Sequence, residues 1–119
     1  MDTFVTRKNV PKNYTGICRI FDRSETRYYV DGVLHRENGP AVINNDGSKA
    51  WYWKGMLHRD DGPAIVVEIS YISSTGIKTV VDETYYFKGK KYKNKQEYIS
   101  DPKIKTVFNK RLIESINDL

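Results

Sequence analysis

The sequence has very little cysteine and no long apolar run. Its single cysteine, Cys18, excludes the internal disulfide framework on which small secreted domains commonly depend. Cys18 lies in an apolar stretch without partners for thiol catalysis, so we expect it to be a small buried residue. The N-terminal segment is charged and contains no apolar run, which argues against a signal peptide, and no segment has the length of a membrane span. These absences predict a cytoplasmic protein.

The chain has room for one domain over residues 1–119. A domain of this size buries only about two thirds of the surface that its unfolded chain exposes. Nine of its residues are tyrosines, whose rings are apolar but carry a polar tip. A thin core built from such rings suits a sheet with one face in water.

Charge is distributed unevenly along the chain. The formal net charge is +5, but the segment 88–111 carries nine Lys or Arg residues against only Glu97 and Asp101. The positive charge therefore belongs to the C-terminal third, where it predicts an acidic partner, either a protein or a polyanion.

One motif is written twice in the chain. Residues 29–42 read Tyr-x-x-Gly-x-Leu-His-Arg-x-x-Gly-Pro-Ala-Val, and residues 52–65 repeat this pattern with Ile in the last position, at a constant offset of 23 residues. A third copy keeps only the opening Tyr86 and Gly89, displaced by 34 residues because residues 69–81 insert into the second unit. A fixed period of this length is typical of arrays in which each supersecondary unit buries its apolar face against its neighbours.

The repeat predicts a mainly β fold, an antiparallel meander of β-hairpin repeats with short C-terminal helices. Residues 1–25 would form leading strands, 26–93 the hairpin repeats and 94–119 a helical cap. The segment 44–47, Asn-Asn-Asp-Gly, contains residues that tolerate positive φ and so predicts a hairpin turn, followed by a strand over 48–54. The leading strand 15–22 is expected to pair with 26–30 through a turn at 23–25.

The alternation of side chains along a strand predicts two aromatic ladders. Trp51 and Trp53 should point to one face, in line with residues 28, 30, 85 and 87 of the neighbouring units. Tyr52 should point to the other face, in line with Tyr29 and Tyr86.

Two short helices are expected at the C-terminal end. Asn94 and Glu97 have the spacing of a capping box, which would start a helix through Ile99, and the pair Asp101-Pro102 should end it. A second helix is expected over residues 107–116, where apolar residues approach helical spacing. These helices would cap the open edge of the meander.

The residues shared by the two full repeats are expected to have structural roles. Glycine would free the turns, proline would set φ before the next strand, and His and Arg would brace the loop. If the second glycine of each repeat adopts strained loop geometry, a larger residue there should destabilise the fold, whereas in an ordinary loop it should not. The set comprises Gly32, His35, Arg36, Gly39, Pro40, Gly55, His58, Arg59, Gly62 and Pro63.

A catalytic or zinc-binding interpretation of the two histidines is weaker than the structural one. Two His residues without Cys or a fixed carboxylate partner fall short of a closed zinc set. The arginines suggest local ion pairs, Arg36 with Glu37, and Arg59 with Asp60 and Asp61. No nucleophile elbow, phosphate-binding loop or acid–base pair is visible, so we expect no enzyme, no metal and no cofactor.

The repeated unit resembles a variant of the MORN repeat, a β-hairpin unit of similar length. The likeness rests on Tyr-x-x-Gly-x-Leu-His-Arg-[Glu/Asp]-x-Gly-Pro-Ala within residues 26–67, although the loop between His and Gly is one residue longer than in the usual MORN form. Similar His-Arg-[Glu/Asp]-x-Gly-Pro-Ala repeats occur in bacterial, phage and large DNA virus proteins. The resemblance implies hairpin repeats that bind proteins or lipid surfaces and catalyse nothing themselves.

The segment 85–95 interleaves aromatic residues with lysines. Such a segment either binds a phosphate backbone while its rings stack on bases, or forms the solvated face of a strand near a sheet edge. The candidate partner-binding residues are Trp53, Lys88, Lys90, Lys91, Tyr92, Lys93 and Lys95.

Three functions are compatible with these observations. The leading hypothesis is a non-catalytic protein-binding module, specifically a phage or viral accessory protein that binds and inhibits a host defence protein in the host cytoplasm. The alternative is a nucleic-acid-binding protein that uses segment 85–95, with Tyr92 stacking on bases. The third is peripheral binding to anionic lipid through the same lysines. The sequence does not determine the oligomeric state.

Overall fold

The structure is a computed structural model, and it describes residues 2–4, 10–20 and 24–117. The fold is mainly β with two C-terminal helices, which confirms the predicted fold class. The elements are β1 (Asp2–Phe4), β2 (Gly16–Ile20), β3 (Glu25–Val30), β4 (Val33–Leu34), β5 (Val42–Asn44), β6 (Lys49–Ala50), β7 (Tyr52–Trp53), β8 (Met56–Leu57), β9 (Ile65–Ser73), β10 (Gly76–Thr84), β11 (Tyr86–Phe87), β12 (Lys90–Lys91), α1 (Lys95–Ser100) and α2 (Pro102–Asn117).

Eight of the strands form one large sheet. Their order is β1-β2-β3-β5-β6-β9-β10, with β4 paired to β3, while β7–β8 and β11–β12 form separate pairs. β1 and β2 are parallel, and the other pairs are antiparallel. The pairing of β2 with β3 confirms the predicted leading strand. The turn expected at 23–25 is wrong at Glu25, which belongs to β3 and pairs with Ile20, and residue 23 lies outside the described residues.

Short hairpins open each repeat. Their turns lie at Asp31-Gly32, Lys54-Gly55 and Lys88-Gly89, where both residues have positive φ. Two consecutive positive φ values identify a type I′ turn, which matches the twist of the flanking strands. Gly32 meets a second constraint, because a Cβ at this position would lie 1.9 Å from the carbonyl oxygen of Lys12.

Longer hairpins join one repeat to the next. The first is β5–β6, and its turn is closed by hydrogen bonds from the backbone N–H of Gly47 to the carbonyl of Asn44 (3.0 Å) and from that of Asn44 to Ser48 (2.9 Å), which confirms the predicted hairpin. The second is β9–β10, with nine residues in each strand. The inserted segment 69–81 therefore lengthens this second hairpin, an arrangement that the sequence analysis did not predict.

The prediction of a single strand over residues 48–54 is wrong. The chain divides at Trp51 into β6, which belongs to the large sheet, and β7, which pairs with β8. The backbone N–H of Trp51 donates to the carbonyl of Ala64 (2.7 Å), and the Trp51 carbonyl accepts from the N–H of His58 (3.1 Å). The chain changes its hydrogen-bonding partner at this residue, so alternation along one strand does not describe it.

The dipeptide Asp101-Pro102 joins the two helices. Asn94 caps α1 as predicted, because its side-chain oxygen accepts from the N–H of Glu97 (2.9 Å). The second helix begins at Pro102 and not at 107. The Asp101 carboxylate accepts from the N–H of Lys103 (2.9 Å), so Asp101 caps α2 and Pro102 occupies its first position, where the missing N–H costs no bond.

A cluster of buried side chains lies between the third repeat and the helices, and comprises Tyr85, Phe87, Tyr92, Tyr98 and Ile104. The helices cap the third repeat, whereas β10 is the last strand of the large sheet among the described residues. The predicted capping is therefore present at the third repeat and not along β10. Within the described chain, neither helix is long and apolar enough to cross a membrane.

Cys18 is fully buried in β2, as predicted. Burial raises the pKa of its thiol, which lowers the fraction of reactive thiolate. The side chain therefore behaves as a small core residue.

Candidate functional site

Successive repeats are joined at their histidines. Nδ1 of His35 accepts a hydrogen bond from the backbone N–H of Lys54 (2.9 Å), and Nδ1 of His58 accepts one from Lys88 (2.8 Å). Each lysine is the first residue of the type I′ turn in the next repeat. The recurrent hydrogen bond expected at the histidines is present, but it joins two repeats and does not brace the loop of its own histidine. It requires a neutral imidazole with the proton on Nε2.

The N-terminal segment makes the same connection to the first repeat. The N–H of Asp31 donates to Oγ1 of Thr15 (2.9 Å), and the N–H of Gly32 donates to the carbonyl of Tyr14 (2.8 Å). In the later repeats the corresponding acceptors are a histidine nitrogen and a leucine carbonyl. The repeat motif does not reveal this cap, because a threonine hydroxyl here takes the place of an imidazole nitrogen.

Imidazole rings separate the aromatic rings of successive repeats. The ring centroid of Trp53 lies 4.4 Å from that of His35 and 6.2 Å from that of His58, and His58 lies 4.8 Å from Phe87. Of the first predicted ladder, only Trp53 and Phe87 belong to this row, with histidines between the rings, whereas Tyr28 and Trp51 contact Arg36 and Arg59 instead. Burial lowers the pKa of His58, which favours the neutral form that its hydrogen bond requires.

The second predicted ladder does not form a stack. Within residues 24–117, the rings of Tyr29, Tyr52 and Tyr86 make no ring contact with one another, whereas Tyr29 meets the edge of Tyr14 at 6.1 Å. The prediction followed from the repeat offset alone, which aligns residues in register but does not set the distance between their rings.

The arginine of the first loop is held by a ring and by a carbonyl. The Cζ atom of Arg36 lies 3.9 Å from the ring centroid of Tyr28, and its NH1 group donates to the carbonyl of Pro40 (3.1 Å). The predicted ion pair with Glu37 is absent among the described residues. Contact with an aromatic face and a backbone oxygen replaces it.

Gly39 and Gly62 accommodate these arginines and are not strained. Neither glycine has a positive φ, so of the two alternatives the backbone of the loop is ordinary at these positions. A Cβ on Gly62 would lie 3.0 Å from Cζ of Arg59, and one on Gly39 would lie 3.2 Å from Cζ of Arg36. Because Arg59 also lies 3.9 Å over the Trp51 ring, its guanidinium is confined between that ring and the glycine.

Acidic residues of the second loop hold two arginines. Asp61 accepts from Nε of Arg59 (2.8 Å), as predicted, and from Arg111 of α2 (3.0 Å). Asp60 pairs with Arg111 (2.5 Å) and not with Arg59. Burial alone would raise the pKa of Asp61, but the bond and charge of Arg59, together with Arg111, outweigh it and lower that pKa. The second loop is thereby fastened to α2.

The third repeat extends further than the sequence indicated. The backbone N–H of Tyr92 donates to the carbonyl of Tyr85 (2.9 Å), which is the bond that His35 and His58 make in the earlier repeats. Tyr92 therefore stands at the histidine position, and Lys93 stands at the arginine position. Neither residue type matches the motif, which is why a pattern search missed this part of the repeat.

Tyr98 of α1 closes the array at the third repeat. Its ring lies 4.9 Å from Tyr85 and 5.4 Å from Tyr92, and its hydroxyl donates to the carbonyl of Arg59 (2.7 Å). The Tyr92 hydroxyl donates to Asp101 (2.5 Å). Burial is the main cause that raises the pKa of both tyrosines to about 12. The buried ring of Tyr92 cannot offer the face that base stacking needs, contrary to the prediction.

A groove runs along the loops and touches all three repeats and α2. Its volume is about 1070 Å³. Both aromatic and charged side chains line it, among them Glu37, Trp51, Trp53, Phe87, Lys88 and Arg111. We call it the repeat groove. A concave surface lined by both rings and charges suits an extended polypeptide segment.

The predicted lysines are exposed, but they do not share one surface. Adjacent residues of a strand point to opposite faces, so Lys90 and Lys91 of β12 diverge. Lys90 turns towards the helices, with Nζ 3.9 Å from Asp101. Of the predicted partner-binding residues, only Trp53 and Lys88 line the repeat groove. The five predicted lysines, all exposed, are Lys88, Lys90, Lys91, Lys93 and Lys95.

Within the described residues, no group of three or more His, Cys, Asp or Glu side chains is arranged to hold a metal ion. The chain matches no protein-family model, no curated protein and no solved structure.

Proposed function

We propose that this protein is a non-catalytic binding module that holds a segment of a partner protein in the repeat groove. The observation that carries the proposal is that one groove crosses all three repeats with side chains fixed by their neighbours. Trp53 lies between two imidazoles, and Arg36 is held by a ring and a carbonyl. Fixed side chains lose little conformational freedom on binding, and Trp and Arg are common binding hot spots.

Charge favours an acidic partner segment. Among the side chains that line the groove, Asp60 and Asp61 are paired with Arg59 and Arg111. Arg36, Lys88 and Glu37 form no ion pair among the described residues, which leaves two unpaired positive charges against one negative charge. The strongly basic segment 88–111 borders the same end of the groove. A positive field of this kind attracts acidic partners and accelerates their association.

The roles of the loop residues support binding over catalysis. Both histidines use Nδ1 as an acceptor between repeats, and both loop arginines lie against aromatic rings and bond to proline carbonyls. These histidine and arginine side chains are thereby engaged in holding the array together.

The biological role that we propose is that of a viral accessory protein, which binds and inhibits a host defence protein in the host cytoplasm. The resemblance of the repeat to those of phage and large DNA virus proteins supports it. The buried thiol of Cys18 fits a reducing compartment. Inhibition would follow from occupying a surface of the target.

The experiment is affinity capture from native host lysate, with and without nuclease treatment, followed by mass spectrometry. We expect one protein to be retained in stoichiometric amount in both samples. Retention that disappears after nuclease treatment would contradict the proposal and favour nucleic acid as the ligand.

A second candidate function is nucleic-acid binding through segment 85–95. It is favoured by the exposed lysines of this segment, which could neutralise several phosphates. Titration of the protein with DNA and RNA at several salt concentrations tests it, because each neutralised phosphate changes the logarithmic salt slope by about 0.7 to 0.9. An affinity that remains weaker than micromolar at low salt would rule this function out.

A further inference from the structure

The hairpin β9–β10 is exposed on both faces. Ile72 and Ile77, which face each other near its turn, are 87% and 78% exposed. Further exposed apolar residues follow along both strands, namely Ile69, Tyr71, Val80 and Val81. A soluble chain rarely exposes so many neighbouring apolar side chains without a partner to cover them.

The free side of β10 is suited to pairing with another strand. β10 is the last strand of the large sheet in the described chain, and its nine pairs with β9 run from Gly76 to Thr84 without a bulge. Edge strands are commonly protected by proline, by a bulge, by short length or by several lysines. β10 contains no proline and only one lysine, Lys78.

We propose that β10 pairs in antiparallel orientation with β10 of a second copy of this chain. Val80 would face Val80 of the second copy on the two-fold axis, and one continuous sheet would pass through both hairpins. This surface is separate from the repeat groove, and the proposal does not depend on what the groove binds.

The charges of β10 favour a second copy of this chain as the partner strand, and they favour the register centred on Val80. With Val80 at the centre, each Lys78 lies opposite Asp82 of the other copy, and this pairing occurs twice. Moving the centre by one residue loses both pairs. Moving it by two residues places Lys78 opposite Lys78, or Asp82 opposite Asp82. Opposite charges across neighbouring strands stabilise a sheet and like charges destabilise it.

Val80 and Ile69 agree with the same register. Within each hairpin Ile69 faces Val80, and residues that face each other lie on the same side of the sheet. The dimer would therefore bring two Val80 and two Ile69 side chains into one apolar row across four strands. This row would lie between the two rows that contain the Lys78–Asp82 pairs.

Sedimentation analysis of the whole chain at concentrations from micromolar to near millimolar tests the proposal. The wild-type chain should sediment with twice the mass of one chain at high concentration. Lys78→Asp and Asp82→Lys should each weaken the dimer by about tenfold or more, because each places two pairs of like charges opposite each other. An equimolar mixture of the two variants should dimerise again, since the charges are then complementary.

Glu68→Lys is the matched control. Glu68 lies in β9, opposite Val81 within the hairpin, so the same change of charge occurs away from the proposed contact and should leave the dimer intact. Circular dichroism checks that each variant is folded. A wild-type chain that remains monomeric throughout, or a dimer that neither single substitution weakens, would overturn the proposal.

Discussion

The backbone N–H of Lys88 donates a 2.8 Å hydrogen bond to Nδ1 of His58. The two residues belong to different repeats. Lys88 has a φ of 50°, a conformation that non-glycine residues rarely adopt. The histidine thereby supports the first residue of the next turn while its ring contacts Trp53 and Phe87. The His58 side chain thus contributes both to the contact between repeats and to the lining of the repeat groove.

Stability should fall on mild acidification because of His58. Its pKa is lowered from 6.5 by burial, so the unfolded chain takes up this proton at a higher pH than the folded chain. The contribution of His58 to the free energy of unfolding is fully present above pH 6.5. It is lost as the pH falls through 6.5 towards the lowered pKa of the folded state. Urea unfolding at about pH 7.5 and about pH 5.5 measures it, above the range in which carboxylates titrate.

His58→Asn is the control for this pH dependence. An asparagine oxygen can accept the Lys88 hydrogen bond but does not titrate, so the difference between the two pH values should shrink. An undiminished difference in His58→Asn would show that another group is responsible.

Gly62→Ala should destabilise the protein through Arg59. The new methyl group would displace the guanidinium from the Trp51 ring and from its hydrogen bonds, at a cost of about 1 to 3 kcal/mol. In an Arg59→Ala background the same substitution should cost nearly nothing, because the guanidinium is gone. Chemical denaturation of the four proteins in this cycle gives the coupling. Equal costs in both backgrounds would mean that the glycine is needed for another reason.

Thr15→Val should loosen the N-terminal end of the array. The substitution keeps the shape of the side chain but removes the oxygen that accepts the N–H of Asp31. We expect a loss of about 0.5 to 1.5 kcal/mol in the free energy of unfolding. Thr15→Ser retains the acceptor and should lose less. If the valine variant is as stable as the wild type, Thr15 does not act as a cap.

Tyr98→Phe should weaken the attachment of the helical cap. It removes the hydroxyl that donates to the carbonyl of Arg59 and leaves a part-buried acceptor unpaired, at a cost of about 1 to 3 kcal/mol. Tyr52→Phe is the matched control, because the Tyr52 hydroxyl makes no hydrogen bond within the described chain. Thermal melting of both variants measures the effect, and equal melting temperatures would contradict it.

Local chemistry made part of this fold predictable. The Asn-Asn-Asp-Gly turn and the Asn94 cap depend on residues close in sequence, and both are present. The strand break at Trp51 and the cap formed by Thr15 depend on hydrogen bonds to distant residues. Hydrogen bonds between distant residues produce no periodic pattern in the sequence, so the sequence does not predict them.

The same distinction between local and long-range contacts applies to the candidate site. The motif identified the histidine and arginine positions of two repeats, but Tyr92 and Lys93 occupy those positions in the third repeat with different chemistry. Composition marked segment 85–95 as a binding surface, yet it could not show that Tyr92 is buried. The repeat groove exists only when three units and α2 come together, so no single segment of sequence predicts it.

The most direct test of the account compares two charge reversals, Lys88→Glu and Lys54→Glu, for affinity towards the captured protein partner. Both lysines are exposed, have a φ of 50° and donate their N–H to a histidine, but only Lys88 lines the repeat groove. Calorimetry should show binding weakened by about tenfold or more for Lys88→Glu, a loss of about 1.4 kcal/mol, and nearly unchanged for Lys54→Glu. Equal affinities for the two variants would contradict the claim that the partner occupies the groove.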